Sequence, residues 1–174
     1  RSFEKPIGSD GTIAVLRGNL APEGAVIKHS AVPKKMHHAL LRARPFDCEE
    51  DAIDAILKHR IQPGDAVFIR YEGPRGSGMP EMFYTTEAIS SDPELSASIA
   101  LITDGRFSGA SKGPAIGHVS PEAAQGGPIA LVEEGDLILI DVKTRKLEIV
   151  GVAGEEKTPE EKETISKEEA LTIK

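Results

Sequence analysis

Seven short runs rich in valine, isoleucine and leucine recur along the chain, and glycines and prolines separate them. Runs of this length between turn residues are typical of β-strands. Several of them alternate poorly between apolar and polar residues, which favours strands that are buried on both faces or covered by helices. We therefore predict seven strands, at residues 12–16, 25–28, 66–71, 98–103, 129–132, 137–142 and 146–150.

Helical patterns are fewer and shorter than these runs. The strongest covers residues 49–59, where apolar residues recur at helical spacing, Asp47 is the predicted N-cap and Glu50 completes a capping box. Weaker patterns predict helices at residues 82–90, at 121–124 and after Thr158. The sequence thus predicts one strand-dominated mixed β/α domain over residues 1–174, most simply a barrel or curled sheet with helices outside, and a polar tail at 155–174.

Charge and composition exclude several functions. The net charge of −7 and an aromatic content of 4% without tryptophan disfavour a nucleic-acid-binding module, so we expect no nucleic-acid partner. No apolar run reaches the ~20 residues of a membrane span, and the first residues lack a signal peptide, so a cytoplasmic protein without a membrane partner is expected. The single cysteine, Cys48, cannot by itself hold an iron–sulfur cluster or a structural zinc. The chain starts at Arg1 without a methionine, and we expect it to be a piece of a longer protein.

The densest unusual segment covers residues 103–114, directly after a strongly apolar run. It places three glycines within nine residues, with Ser108 in the middle of the loop. Glycines allow backbone N–H groups to approach a small anion such as a carboxylate or a phosphate. From the local pattern alone, the segment is either a structural turn or an anion-binding or catalytic loop.

A second glycine-rich loop covers residues 73–82 and contains Glu81 directly after a proline. Glu81 is either a residue that favours the start of the following helix or a ligand of a hard cation such as Mg²⁺.

Three further features have a structural and a functional interpretation. His118 is a hydrogen-bonded structural residue or a base. Cys48 lies at the first turn of the strongest predicted helix, where a thiolate could be favoured, but it is expected to be inert because no partner base is evident. Residues 28–44 carry five basic residues and two adjacent histidines without an aromatic residue, which predicts an exposed loop or an intersubunit contact.

Four stretches carry a resemblance to a known family. They are G-T-I-A-V-L-R-G-N-L-A-P-E-G-A-V-I-K at 11–28, I-R-Y-E-G-P with G-M-P-E-M at 69–82, T-D-G-R-F-S-G at 103–109, and G-H-V-S-P-E-A-A at 117–124. With them the sequence resembles the C-terminal domain of the dihydroxy-acid dehydratase and phosphogluconate dehydratase family. The matches follow the family's order over most of residues 11–142.

The resemblance implies a hydro-lyase that removes water from a 2,3-dihydroxy carboxylic acid and yields a 2-keto acid. It also implies an iron–sulfur cluster held by a separate N-terminal domain, Mg²⁺ at the substrate, and a swivelling barrel-like β/β/α fold similar to the fourth domain of aconitase. Carried over by motif, Ser108 is the base that takes the C2 proton and Glu81 is a magnesium ligand. The resemblance implies no residue of this chain that binds another cofactor. The isolated domain is expected to be inactive, and the whole enzyme is expected to be a homo-oligomer.

The stretch at 110–116 departs from the family's common Gly-Leu-Cys pattern. This departure bears on which substrate the enzyme accepts. The dihydroxy-acid dehydratase branch of branched-chain amino acid biosynthesis is the nearer match, and a sugar-acid dehydratase is the alternative. Two functions outside catalysis are also compatible with the sequence. One is a free-standing binding module, and the second is an interaction domain that docks a partner through residues 28–44.

Overall fold

The computed structural model describes residues 2–6, 11–109, 111–152 and 155–156. These residues form a nine-stranded sheet in the order β1-β2-β6-β5-β4-β3-β7-β8-β9. Strands β3 to β6 pair with one another in parallel, and the remaining pairs are antiparallel. The strands are β1 (Ala14–Leu16), β2 (Gly24–Ile27), β3 (His38–Phe46), β4 (Asp65–Ile69), β5 (Ala100–Thr103), β6 (Ala115–Ser120), β7 (Leu137–Asp141), β8 (Lys146–Val152) and β9 (Glu155–Glu156).

The central strands β4 and β5 are buried on both faces. In β4, Ala66 and Phe68 pack in the core inside the curled sheet, while Val67 and Ile69 pack against helices on the outer face. Every residue of both strands is buried. The prediction that continuous apolar runs lie between two layers is therefore confirmed for these two strands.

The outer layer consists of α1 (Glu49–Leu57), α2 (Phe83–Ser90) and α3 (Pro93–Ser98). Three acidic residues occupy the first turn of α1, where the helix dipole favours negative charge. Asp92 caps α3 by accepting the N–H groups of Glu94 and Leu95, at 2.9 and 3.2 Å. Across the residues that the structure describes, no helix combines the length and the apolar character that crossing a membrane requires.

The sheet curls until β1 meets β8. Arg17 follows β1 and pairs with Lys146, and the N–H of Arg17 donates to the carbonyl of Arg145 at 2.8 Å. Gly18 lies so close to Leu147 that an added Cβ would overlap the carbonyl oxygen of that residue. We call this contact, with the adjacent Asn19, the seam. It confirms the prediction of a barrel-like, strand-dominated mixed fold.

Two expectations about segments were wrong. Residues 129–132 do not form a strand, because Pro128 begins a 3-10 helix over Pro128–Leu131. Residues 28–44 are not an exposed loop, because they hold two 3-10 turns, His29–Ala31 and Lys34–Met36, followed by most of β3. The basic residues of β3 point outward in alternation with Ala39, Leu41 and Ala43, which are buried.

Smaller differences concern the helices. Cys48, and not Asp47, is the N-cap of α1, and the Asp47 carboxylate instead pairs with Arg70 at 2.6 Å. The helix predicted at 121–124 is a 3-10 turn, Ala123–Gln125, followed by Gly126 in the left-handed region. Neither α3 nor β6 was predicted. The helix predicted after Thr158 lies outside the described residues, and in the predicted tail the described residues 155–156 form β9.

Candidate active site

The two glycine-rich loops lie at one edge of the sheet. One follows β4 and contains Glu81, and the other follows β5 and contains Ser108. Because β4 and β5 are parallel neighbours, their carboxyl ends, where ligands commonly bind in such sheets, lie side by side. The topology therefore brings together the two loops that carry these candidate residues, which lie 27 positions apart in the sequence.

Backbone contacts join the two loops directly. Glu81 forms an isolated β-bridge with Arg106, and the N–H of Met82 donates to the carbonyl of Arg106 at 3.1 Å. The guanidinium of Arg106 donates to the carbonyl of Met79 at 3.0 Å. Glu81 is thus held beside the segment that leads to Ser108.

A buried carboxylate fixes the base of both loops. Asp104 is 1% exposed and accepts the N–H groups of Tyr71, Glu72 and Ala123 at 3.2, 3.0 and 2.8 Å. Burial raises the pKa of Asp104 above its ordinary value, and these three hydrogen bonds oppose that rise. One side chain therefore ties three segments together: the loop after β4, the loop after β5 and the turn after β6.

A second buried carboxylate supports the loop after β4. Both oxygens of Glu122 accept the N–H of Arg75, at 3.0 and 3.1 Å. Gly73 packs on the same carboxylate, and a Cβ there would overlap Oε2 of Glu122. Glycine is required at this position because of that close approach.

Ser108 is half-buried and lines a pocket of about 300 Å³. Ile13, Val26 and Phe107 form the apolar part of its lining. The ammonium group of Lys28, which also lines the pocket, donates to the carbonyl of Gly109 at 2.8 Å. The pocket therefore combines an apolar wall with a hydroxyl and a cation.

His118 also lines this pocket, and its side chain is exposed there. Its φ of 55° lies in the left-handed region, which costs a non-glycine residue about 1–2 kcal/mol. Its N–H donates to the carbonyl of Gly105 at 2.8 Å. The structure thus places His118 beside the loop of Ser108, and the hydrogen bond it shows is made by the backbone and not by the ring.

Glu81 itself is exposed and lies just before Met82, the N-cap of α2. No side-chain hydrogen bond caps this helix within the described residues, so the structure does not show Glu81 acting as a cap. Those residues also include no group of three or more histidine, cysteine or acidic side chains that could hold a metal ion. Any cation at Glu81 would need further ligands from outside the described residues.

Cys48 shows no sign of activation. The N–H of Asp51 lowers the pKa of the thiol, but burial and the carboxylates of Asp51 and Glu50 outweigh it and raise that pKa above its ordinary value. A thiol with a raised pKa is a poor nucleophile at neutral pH.

Sequence reasoning did not find the roles of Asp104, Glu122 and Lys28. The signal for Asp104 was a carboxylate between a buried strand and a glycine, where a solvated loop residue is the ordinary interpretation. The signal for Lys28 was a single lysine at the end of a predicted strand. Neither pattern indicates a partner that lies 19 to 81 positions away.

The pocket is lined by the loop after β5 together with residues of β2, of β6 and of the segment before β1, and Glu81 is not among its lining residues. A pocket beside the carboxyl end of a parallel strand is typical of a domain that binds or transforms a small molecule. Comparison with known proteins identifies the family to which this domain belongs. The model of the C-terminal domain of dihydroxy-acid/6-phosphogluconate dehydratases matches residues 1–172. The chain belongs to this family, as the resemblance of its motifs predicted.

Curated relatives agree with this assignment. The chain is 58% identical over 151 residues to a dihydroxy-acid dehydratase of Oleidesulfovibrio alaskensis, 59% over 150 residues to that of Agathobacter rectalis, and 56% over 149 residues to that of Methanococcoides burtonii. These alignments cover 86%, 86% and 85% of the chain and 27% of each relative. The chain thus spans about a quarter of the length of the relatives that it matches.

Proposed function

We propose that this chain is the C-terminal domain of a dihydroxy-acid dehydratase, a hydro-lyase that converts a 2,3-dihydroxy carboxylic acid into a 2-keto acid. Membership of the family and the names of the relatives support this proposal. The observation that carries it is Ser108, which lines a pocket with an apolar wall and stands on a loop joined to that of Glu81.

Ser108 acts as the base in the proposed reaction. Its oxygen takes the proton from C2 of the substrate, the electrons of the C2–H bond form the C2–C3 double bond, and the hydroxyl leaves from C3. The departing hydroxyl takes up a proton and leaves as water, and the enol becomes the 2-keto acid by losing the proton of its C2 hydroxyl and gaining a proton at C3. A positioned base contributes typically ~10² to 10⁴ in rate.

A serine hydroxyl works as a base only where its anion is stabilised. The ammonium of Lys28 stands 2.8 Å from the carbonyl of the next residue, Gly109, and lies on the same pocket as Ser108. A fixed cation at this place favours negative charge on the serine oxygen. We assign Lys28 this electrostatic role in addition to its contact with the loop.

Glu81 fits the role of one magnesium ligand. It is an exposed carboxylate, no hydrogen bond or ion pair within the described residues occupies it, and its loop is fixed beside that of Ser108. Mg²⁺ held there would supply positive charge for oxygens of the substrate, since this ion is typically bound by one or two carboxylates plus substrate oxygens and water. The other ligands belong to the rest of the full-length protein.

An iron–sulfur cluster does not fit the residues of this chain. The sequence has a single cysteine, whose pKa is raised, whereas such a cluster needs several thiolates. We therefore place the cluster in the N-terminal part of the longer protein and assign no step of it to this domain.

The pocket favours a branched-chain substrate over a sugar acid. Ile13, Val26 and Phe107 offer apolar surface to an aliphatic side chain. The hydroxyl groups of a sugar acid would lose hydrogen bonds to water against such a wall. The substrate of the proposed enzyme is therefore a dihydroxy acid of branched-chain amino acid biosynthesis.

The test is Ser108→Ala in the full-length enzyme, with Ser111→Ala as the control because Ser111 lines the same pocket. We expect turnover to fall by ~10² or more for Ser108→Ala, with little change in substrate binding. Retained turnover in Ser108→Ala would show that the base lies elsewhere. Comparison of branched-chain and sugar-acid substrates with the parent enzyme tests the choice of substrate.

Glu81→Gln tests the metal ligand separately. Gln keeps the size of the side chain and removes the charge that Mg²⁺ prefers. We expect the magnesium concentration needed for activity to rise while the melting temperature stays within a few degrees. An unchanged magnesium requirement would remove Glu81 from the site.

The same proposal includes one property of the isolated chain and two of the full-length protein. The isolated chain is colourless and inactive, because the cluster lies in another domain. The full-length enzyme is a homo-oligomer, and it acts in the cytoplasm. Absorbance, turnover and light scattering of the two forms of the protein test the first two properties, and cell fractionation tests the third.

A further inference from the structure

His118 has an unusual backbone for its place in the fold. Five residues other than glycine have a positive φ among those described, and only His118 lies inside a strand. His59, for example, follows the end of α1, where a left-handed residue is common. Strained backbone inside a regular element is maintained only where the surrounding structure holds it.

Local contacts hold His118 in this conformation. The carbonyl of Gly105 accepts its N–H, and a Cβ on the preceding Gly117 would stand 3.3 Å from both the Gly105 oxygen and the Phe107 ring. The register of β6 against β2 shifts between Gly24 and Val26, which is the mark of a bulge. Bulges often lie next to active sites, where they change the direction of a side chain.

The bulge changes which face of β6 the following side chains lie on. Ile116 and Gly117 are both buried, which breaks the alternation of the strand, and His118 then lies exposed at the pocket of Ser108. Its imidazole makes no hydrogen bond or ion pair within the described residues. The left-handed backbone therefore positions the imidazole at the pocket, where it has no hydrogen-bonding partner among the described residues.

We propose that the imidazole of His118 binds the substrate in this pocket by a hydrogen bond to one of its carboxylate or hydroxyl oxygens. This inference rests on the proposed function, and it adds a second polar group of the pocket, beside Ser108, that touches the substrate. The strained backbone is retained because the ring has this task.

The experiment uses the full-length enzyme with His118→Gly. Glycine removes the ring and also relieves the strain, because it adopts a positive φ readily. We expect the melting temperature to stay the same or rise while kcat/KM falls at least tenfold. Added imidazole should restore part of the lost activity, since it can occupy the space of the missing ring.

His59→Gly is the matched control, because His59 is also an exposed histidine with a φ of 55° and is not among the residues that line this pocket. It should change the melting temperature in the same direction and leave kcat/KM unaltered. The inference is overturned if His118→Gly keeps kcat/KM within about twofold of the parent. It is equally overturned if activity and melting temperature fall together without rescue by imidazole, since the ring would then be structural.

These outcomes separate the inference from the proposed function. A parent enzyme that fails to dehydrate any 2,3-dihydroxy acid refutes both. A parent enzyme that is active and loses activity in Ser108→Ala, but not in His118→Gly, refutes the inference alone.

Discussion

Asn19 and Ile149, which lie 130 positions apart in the chain, exchange two hydrogen bonds. The side-chain amide of Asn19 donates to the carbonyl of Ile149 at 2.8 Å, and its oxygen accepts the N–H of Ile149 at 2.7 Å. The side-chain amide of Asn19 thus takes the place of a backbone hydrogen-bonding partner at the seam.

Asn19→Ala should destabilise the domain by about 2 kcal/mol, because it leaves two partly buried backbone groups of Ile149 without partners. Urea unfolding of the chain measures this loss. Gln125→Ala, at an exposed amide, serves as the control and should change the free energy of unfolding little. An equal effect of both substitutions would show that the two hydrogen bonds of Asn19 add no stability.

Asp104→Asn should reduce the free energy of unfolding by roughly 2–4 kcal/mol, because an amide replaces a buried carboxylate that accepts three N–H groups. The loss should also depend on pH in a direction that the structure fixes. Burial raises the pKa of Asp104 in the folded state, so the folded state binds its proton more tightly than the unfolded state does.

The tighter binding of this proton therefore stabilises the folded state, and that stability is fully present below the ordinary aspartate pKa of about 3.9. It decreases as the pH rises through the higher pKa that Asp104 has in the folded state. The difference between the parent and Asp104→Asn should shrink over this range of pH. Urea unfolding at several pH values measures it. A difference that grows with pH would show that the three hydrogen bonds outweigh burial.

Gly73→Ala should destabilise the domain by about 1–3 kcal/mol, because the new methyl group would overlap the carboxylate of Glu122. Gly109→Ala is the matched control, since a Cβ there meets nothing within 4 Å. The midpoints of urea unfolding give the comparison. A parent-like midpoint for Gly73→Ala would mean that the loop after β4 shifts freely.

Lys28→Met should lower kcat of the full-length enzyme by ~10-fold or more, because the loop of Ser108 loses a tether and the pocket loses a cation. The melting temperature should change little, since Lys28 is exposed. Lys34→Met removes an equally exposed lysine that is not among the residues lining the pocket, and it should leave kcat unaltered. Equal kcat values for the two variants would contradict the role of Lys28.

The buried strands could be predicted because their chemistry is local. In β4 and β5 the aliphatic residues are continuous, and a strand between two layers is what such runs form. In β3 the alternation of buried and exposed residues was present in the sequence. His38, Arg42 and Arg44 lie on the other face of this strand, and such a density of charge is typical of a loop unless the intervening alanines and leucine are buried, which the sequence alone does not show.

The candidate site could be predicted only in part. Ser108 and Glu81 were identified through motifs that resemble a family, since each has an ordinary structural interpretation by itself. Their proximity follows from the parallel pairing of β4 with β5, and no local pattern encodes that pairing. The left-handed backbone of His118 was equally hidden, because β6 itself was not predicted and no local pattern indicates a positive φ at this histidine.

Pairing of Arg17 with Lys146 engages backbone groups at the end of β1 and at the start of β8 within the chain. Strand edges that lack such partners offer a template for strands of other molecules. Opening the seam would present two such edges at once. A variant with a weakened seam is therefore expected to be lost first to intermolecular sheet formation, at temperatures below those at which the core of the monomer unfolds.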